Sequence, residues 1–377
     1  MFKATVIWEA SQRRLTQAMF EWFMIENMGY KRFTHYSDDL LSWSFIMVLF
    51  LGITLPGCRK KDDSMDTDLP KAGYKFIKIP FDIQDSIMVA LWYPTFNDET
   101  TYDYNVVSSG LTVKGKVSYD ASEINKPHPA IIFSHGFSGG GVGSVEICEA
   151  LAREGYYVFV PDHDDAVMTV RIQGQSNGTI SEALEYLSNY PFGDGENYEY
   201  RVSEIQSVIA FVISSDFNID KQKIVLGGHS MGGWTVMRAM ENGFKPMAMF
   251  LFSIGELNWL YNQSRYFEAP FFNSIDFPTA YFYGGAEYAQ AISAGLGNVY
   301  AAYCFNHSPG PSYGLLVKGG NHFTYNSQAV APGSYGSTEQ LTTINHRLVN
   351  FLNRYVKGED TTVTTEPEDM IKQQPGD

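Results

Sequence analysis

The sequence predicts an α/β domain built on a mostly parallel sheet with helices on both faces. Two observations carry this. Short apolar runs of buried-strand type alternate along the chain with helix-length segments of 3.6 periodicity. Several of those runs end in glycine-rich turns bearing polar residues, and ligands of open parallel sheets bind at the carboxyl ends of the strands. The length of 377 residues allows one large domain with extensions at both ends.

The N-terminal region reads as a processing segment. Leu40 to Gly57 is an uncharged apolar run, followed at once by Cys58 and then Arg59, Lys60 and Lys61. Leu55-Pro56-Gly57-Cys58 resembles a bacterial lipobox, with proline at a place where a small residue is usual. Lys31 and Arg32 supply the charged stretch before it, and a start at Met28 would give a signal of ordinary length. The expectation is an exported protein whose residues 1–57 are removed and whose Cys58 carries lipid. The alternative is a short uncleaved anchor, since eighteen apolar residues just span a bilayer. Residues 58–73 read as a flexible tether, 74–360 as the main α/β domain and 361–377 as a disordered tail.

Within the domain, Tyr74–Ile79 and Ser86–Trp92 are expected strands, and 95–127 shows no clear element. Ala130–Phe133 is a buried strand leading into Ser134-His135-Gly136-Phe137-Ser138-Gly139-Gly140-Gly141. Such a loop lets backbone approach a ligand closely. Helix Val142–Arg153 and strand Tyr156–Val160 follow. Asp162-His163-Asp164-Asp165 ends that strand and reads as a polar turn, because consecutive residues diverge and no distant metal ligands accompany them. An irregular insertion covers 166–196, with a short helix over Ser181–Ser188. Tyr198–Ser214 is an amphipathic helix.

Lys223–Gly227 is the next strand, and Trp234–Met240 the helix after it. Between them lies G-x-S-x-G as Gly228, Ser230 and Gly232. A strand–turn–helix around that pattern raises the serine hydroxyl above the sheet at a helix N-terminus, where free N–H groups can hold an oxyanion. Met247–Phe252 and Pro278–Tyr283 are further strands. The aromatic residues of 254–277, Trp259 among them, form a cover over an apolar site or an ordinary surface loop. Glu287 follows a glycine turn after Tyr283, and His322 follows Leu315–Val317 on Gly319-Gly320-Asn321. Helix Thr338–Lys357 closes the domain.

A serine needs a base to become a nucleophile, and the base needs an orienting carboxylate. Ser230, Glu287 and His322 occur in the order nucleophile, acid, base. Of the eight histidines only His322 sits on a glycine turn after the last strand. Glu256 is the rival acid, just past the strand before 278–283. The oxyanion donors are the backbone N–H groups of Met231 and Phe137. Phe137, Trp234 and Trp259 are the candidate substrate contacts, although Trp234 fits a core position better than a substrate contact.

From about Tyr74 to Lys357 the chain resembles the branch of α/β-hydrolases that contains platelet-activating-factor acetylhydrolases, cutinase-like polyester hydrolases and chlorophyllase-type proteins. The matching pieces are Leu91-Trp92-Tyr93-Pro94, Phe133-Ser134-His135-Gly136-Phe137, Gly155-Tyr156-Tyr157-Val158, Gly228-His229-Ser230-Met231-Gly232-Gly233 and Gly319-Gly320-Asn321-His322. The resemblance implies carboxylic-ester hydrolysis with no metal or organic cofactor. The acetylhydrolases place their acid near Phe252-Ser253-Ile254-Gly255; the polyester hydrolases place theirs where Glu287 stands, as aspartate. An aromatic in the glycine-rich loop, matched by Phe137, is a polyester-hydrolase feature.

The expected function is therefore ester hydrolysis of a small-molecule or lipid-like substrate, by a protein held at a membrane through an N-terminal lipid or short helix. A net charge of -15 argues against a nucleic-acid partner. Two other classes share these features: a peptidase or amidase on the same fold, and a surface binding lipoprotein whose hydrolase fold has lapsed. Three cysteines are too few for a disulfide scaffold. Cys148 and Cys304 are read as independent buried thiols, or as a pair if the protein is exported.

Overall fold

The computed structural model describes residues 69–82, 85–106, 111–137, 139–166, 170–171, 175–176, 198–254, 272–293, 303–327, 336–363, 367 and 369–372. The chain divides into the units Met1–Ser64 and Met65–Asp377, and every described residue lies in the second. Cys58, the apolar run before it, the 181–188 segment, Glu256 and Trp259 fall outside the described residues.

The strands are β1 (Lys71–Asp82), β2 (Asp85–Thr95), β3 (Thr100–Val106), β4 (Leu111–Tyr119), β5 (His128–Ser134), β6 (Tyr157–Pro161), the two-residue β7 (Val170–Arg171) and β8 (Gln175–Ser176), β9 (Ile219–His229), β10 (Ala248–Phe252), β11 (Thr279–Gly284), β12 (Ser312–Val317) and β13 (Met370–Lys372). The helices are α1 (Val145–Arg153), α2 (Glu199–Ser214), α3 (Met231–Ala239), α4 (Gly285–Ser293), α5 (Tyr303–His307) and α6 (Thr338–Leu352). Among the described residues the main sheet has eleven strands in the order β13-β12-β11-β10-β9-β5-β6-β2-β1-β4-β3. Its centre, from β12 to β6, is parallel throughout. Antiparallel pairs flank it, β6 with β2 and β12 with β13.

Both faces are covered, as the sequence predicts. Successive residues of a strand point to opposite faces. Ile131 and Phe133 of β5 join one core, with Leu151 of α1 and Leu348 and Phe351 of α6. Ala130 and Ile132 join the other, with Ile205 and Val208 of α2 and Met237 of α3. Strands β5, β6, β10 and β11 are buried from end to end, which explains their apolar runs. Ser337 and Gln340 form a capping box that starts α6. Among the described residues no helix is long and apolar enough to cross a membrane.

Three expectations need correction. Residues 95–127 hold the β3–β4 hairpin, whose inward Tyr104, Val113 and Val117 are buried. Its alternating Asp103, Lys114 and Lys116 hid the strand signal. The expected tail 361–377 carries β13, which pairs with β12 while the Asp369 carboxylate binds the buried guanidinium of Arg347. The expected tether ends earlier than Gly73, because β1 starts at Lys71 and pairs with β2 from there. Cys148 and Cys304 are buried free thiols, one in each core.

Candidate active site

The carboxyl ends of the parallel strands bring five segments together. Ser230 follows β9, Ser253 follows β10, Glu287 lies in the first turn of α4 after β11, His322 follows β12, and the 135–137 loop follows β5. Ser230 sits between strand and helix at φ 53°, ψ -121°, a region that side chains rarely adopt. Glycines on either side make that turn fit. A Cβ at Gly232 would lie 1.9 Å from the Ser134 carbonyl oxygen, and one at Gly228 would lie 2.5 Å from the Gly232 backbone. The Ser230 backbone N–H donates to the Phe252 carbonyl at 3.0 Å, which ties the turn to β10.

His322 joins serine and carboxylate. Its Nε2 is 2.8 Å from Ser230 Oγ and its Nδ1 is 2.8 Å from Glu287 Oε1. With Nδ1–H donating to the carboxylate, Nε2 is left to accept from the serine hydroxyl. Both partners are partly open to solvent, His322 at 22% and Glu287 at 13% of their side chains, so the relay lines a surface rather than the core. Glu287 is the third residue of α4, which begins at Gly285 directly after β11. The Ala286 N–H donates to the Gly320 carbonyl at 2.8 Å, which holds that helix start against the loop carrying His322.

The other predicted residues separate into those at the site and those beneath it. Met231 is the first residue of α3, where backbone N–H groups lack intrahelical acceptors. Phe137 lies in the adjoining loop, half-buried, its ring edge-on to Tyr198. That loop borders the serine, since a Cβ at Gly136 would be 3.4 Å from Ser230 Cβ. Trp234 corrects an expectation. The residue is 1% exposed and belongs to the core under α3, a packing role in place of the expected substrate contact.

Several partners were not legible in the sequence. Ser253, at φ 40°, donates its hydroxyl to Glu287 Oε2 at 2.6 Å. His229 donates from Nε2 to the His322 carbonyl at 2.7 Å. Burial, with His322 next to it, pushes its pKa down to about 3, so it stays neutral.

Below the 135–137 loop lies a second chain of the same three residue types. Ser134 Oγ is 2.7 Å from His163 Nε2, and His163 Nδ1 is 2.6 Å from Glu204 Oε2. Ser134 and His163 are fully buried and Glu204 nearly so. Burial, reinforced by Arg201 and His135, lowers the His163 pKa well below its ordinary value. Arg201, also fully buried, donates to the His135 carbonyl at 2.6 Å. The His163 N–H donates to His135 Nε2 at 3.1 Å, and Asp162 Oδ1 accepts the Gly141 N–H at 2.5 Å. The polar turn at 162–165 thus anchors the glycine-rich loop at both ends. The only trace of this in the sequence is the density of His, Asp and Ser at two adjacent strand ends.

No protein-family model matches the chain, and no curated protein matches it. Many solved structures do. One is a ferulic acid esterase from Streptomyces cinnamoneus, at 16% identity and a TM-score of 0.61, covering 82% of this chain and 98% of the esterase. At that identity the likeness is one of architecture: this chain has an α/β fold similar to that of an ester hydrolase.

Proposed function

We propose that the protein is a serine hydrolase that cleaves carboxylic esters through an acyl-enzyme. The observation that carries this reading is the strained Ser230 at a helix N-terminus with His322 Nε2 at 2.8 Å. His322 takes the proton from Ser230 Oγ as that oxygen attacks the ester carbonyl. The backbone N–H groups of Met231 and Phe137 hold the oxyanion, each contributing roughly 3 kcal/mol in the transition state. Glu287 keeps the Nδ1 proton in place and stabilises the imidazolium that forms. His322 then protonates the departing alcohol. Water, activated by the same imidazole, releases the acid and restores Ser230.

Glu287 is taken as the acid in preference to Glu256 because its carboxylate accepts from His322 Nδ1. The ferulic acid esterase neighbour makes esters of hydroxycinnamic acids a sensible first substrate class. We also propose that the domain is exported and held at a membrane through lipid on Cys58. Growth with labelled palmitate should tag the wild type and not Cys58→Ser, and an untagged wild type would contradict this. The activity is tested with a p-nitrophenyl ester series of increasing acyl length, methyl ferulate and a matched p-nitroanilide. Turnover of esters without turnover of the anilide supports the reading. Faster anilide cleavage would make the protein an amidase.

A further inference from the structure

Glu287 is held from two sides. Oε1 faces His322, and Oε2 accepts the Ser253 hydroxyl at 2.6 Å from the neighbouring strand end. Ser253 is 1% exposed and adopts φ 40°, one of three positive-φ residues other than glycine among those described. Its backbone N–H is used elsewhere, donating to the Phe282 carbonyl of β11 at 2.8 Å. The strained bend therefore turns the hydroxyl toward the gap between β10 and β11, where the carboxylate lies. Strain kept at a position of this kind is a pointer to function rather than to stability. Tyr325 closes the same corner. It is buried, stacks on Phe252 at 4.6 Å, and has its phenol pushed up by burial and by the Glu287 charge.

We infer that Ser253 is a positioning residue for the reaction proposed above, acting through Glu287. Three side-chain torsions separate the glutamate backbone from its carboxylate. One hydrogen bond to a histidine, itself changing charge during turnover, leaves the carboxylate free to rotate about the last of them. A second donor on Oε2 fixes the plane, so that Oε1 stays on Nδ1 as the imidazolium forms. Hydrogen bonds to a carboxylate are charge-assisted and about twice as strong as neutral ones.

Three substitutions separate this role from a structural one, because they change backbone strain and hydroxyl in opposite directions. Ser253→Gly relieves the positive φ and removes the hydroxyl. Ser253→Thr keeps the hydroxyl and adds strain, since β-branched residues resist positive φ. Ser253→Ala removes the hydroxyl and leaves the strain.

Each full-length variant is assayed for kcat and KM on p-nitrophenyl butyrate, with its Tm. The expected result for Ser253→Gly and Ser253→Ala is a kcat about tenfold lower with KM nearly unchanged. Ser253→Thr keeps most of kcat although its Tm falls, and Ser253→Gly is no less stable than wild type. In a Glu287→Gln background, adding Ser253→Gly changes kcat by less than about twofold, because the group through which it acts is gone. An undiminished kcat in Ser253→Gly, a kcat that follows Tm across the three variants, or equal losses in both backgrounds would overturn the inference and leave the esterase reading standing. A wild-type chain that neither turns over the ester nor reacts with a fluorophosphonate would overturn both.

Discussion

Two Ser–His–Glu chains lie at adjacent strand ends of one sheet, with nearly the same hydrogen-bond lengths. In Ser134–His163–Glu204 they are 2.7 and 2.6 Å; in Ser230–His322–Glu287 both are 2.8 Å. Their settings differ in everything else. Ser134 is the last residue of a buried strand, and its histidine is sealed from solvent. Ser230 stands on a strained turn at a helix N-terminus, half-buried, beside a glycine-rich loop. One connectivity thus occurs in two environments, and on the proposed reading it is access and a serine lifted off the sheet at a helix N-terminus, not connectivity, that single out Ser230. The buried chain instead satisfies the polar groups that hold the 135–137 loop, the loop to which the proposed reading assigns an oxyanion donor.

Removing the serines should break the symmetry most sharply. Ser230→Ala should lower kcat by roughly five to six orders of magnitude, measured on p-nitrophenyl butyrate. Ser134→Ala should cost far less, through loosening of the loop.

Exchanging the acids comes next. Glu287→Gln should cut kcat about 10⁴-fold with little change in Tm, because the imidazole then loses its orienting charge and correct tautomer. Glu204→Gln should act in the opposite proportion. It should lower unfolding free energy in urea by about 1–3 kcal/mol, the cost of a poorly satisfied buried group, with a smaller effect on kcat. Equal kinetic losses from the two acids would dissolve the distinction between the chains.

The smallest effect concerns pH. The folded protein holds His229 at about 3 against an ordinary 6.5. Below 6.5 the unfolded chain binds a proton there that the folded chain refuses. Stability should therefore be full above about pH 6.5 and fall toward pH 3, by up to about 1.4 kcal/mol per pH unit for each such histidine. His163 shifts in the same direction and adds to the slope. Urea titrations of wild type and His229→Gln at pH 7, 5.5 and 4.5 check this. The variant should lose less stability on acidification, and parallel curves would remove His229 as a contributor.

The sheet, its two covering layers and the order of Ser230, Glu287 and His322 were legible because each depends on short-range patterns. Strand runs, glycine turns and one helix cap all lie within a few residues of the group they position. The hairpin at 100–119 was not, since Tyr102, Tyr104, Val113 and Val117 alternate at strand period but sit among lysines and an aspartate. The 34-residue separation of Ser253 from Glu287 and the 41-residue separation of His163 from Glu204 leave no local mark. Such contacts exist only once β10 is laid beside β11 and α2 beside β6. Trp234 was ambiguous for a related reason: a first-turn residue after the serine faces the strand-end loops or the core according to how α3 is set on the sheet, which composition does not fix.

On the proposed reading only Ser230, and not Ser134, is a nucleophile. Labelling the intact protein with a fluorophosphonate, followed by peptide mapping, separates the two serines. The expected result is one adduct, on Ser230, lost in Ser230→Ala and retained in Ser134→Ala. An unlabelled wild type, or an adduct that survives Ser230→Ala, would contradict it.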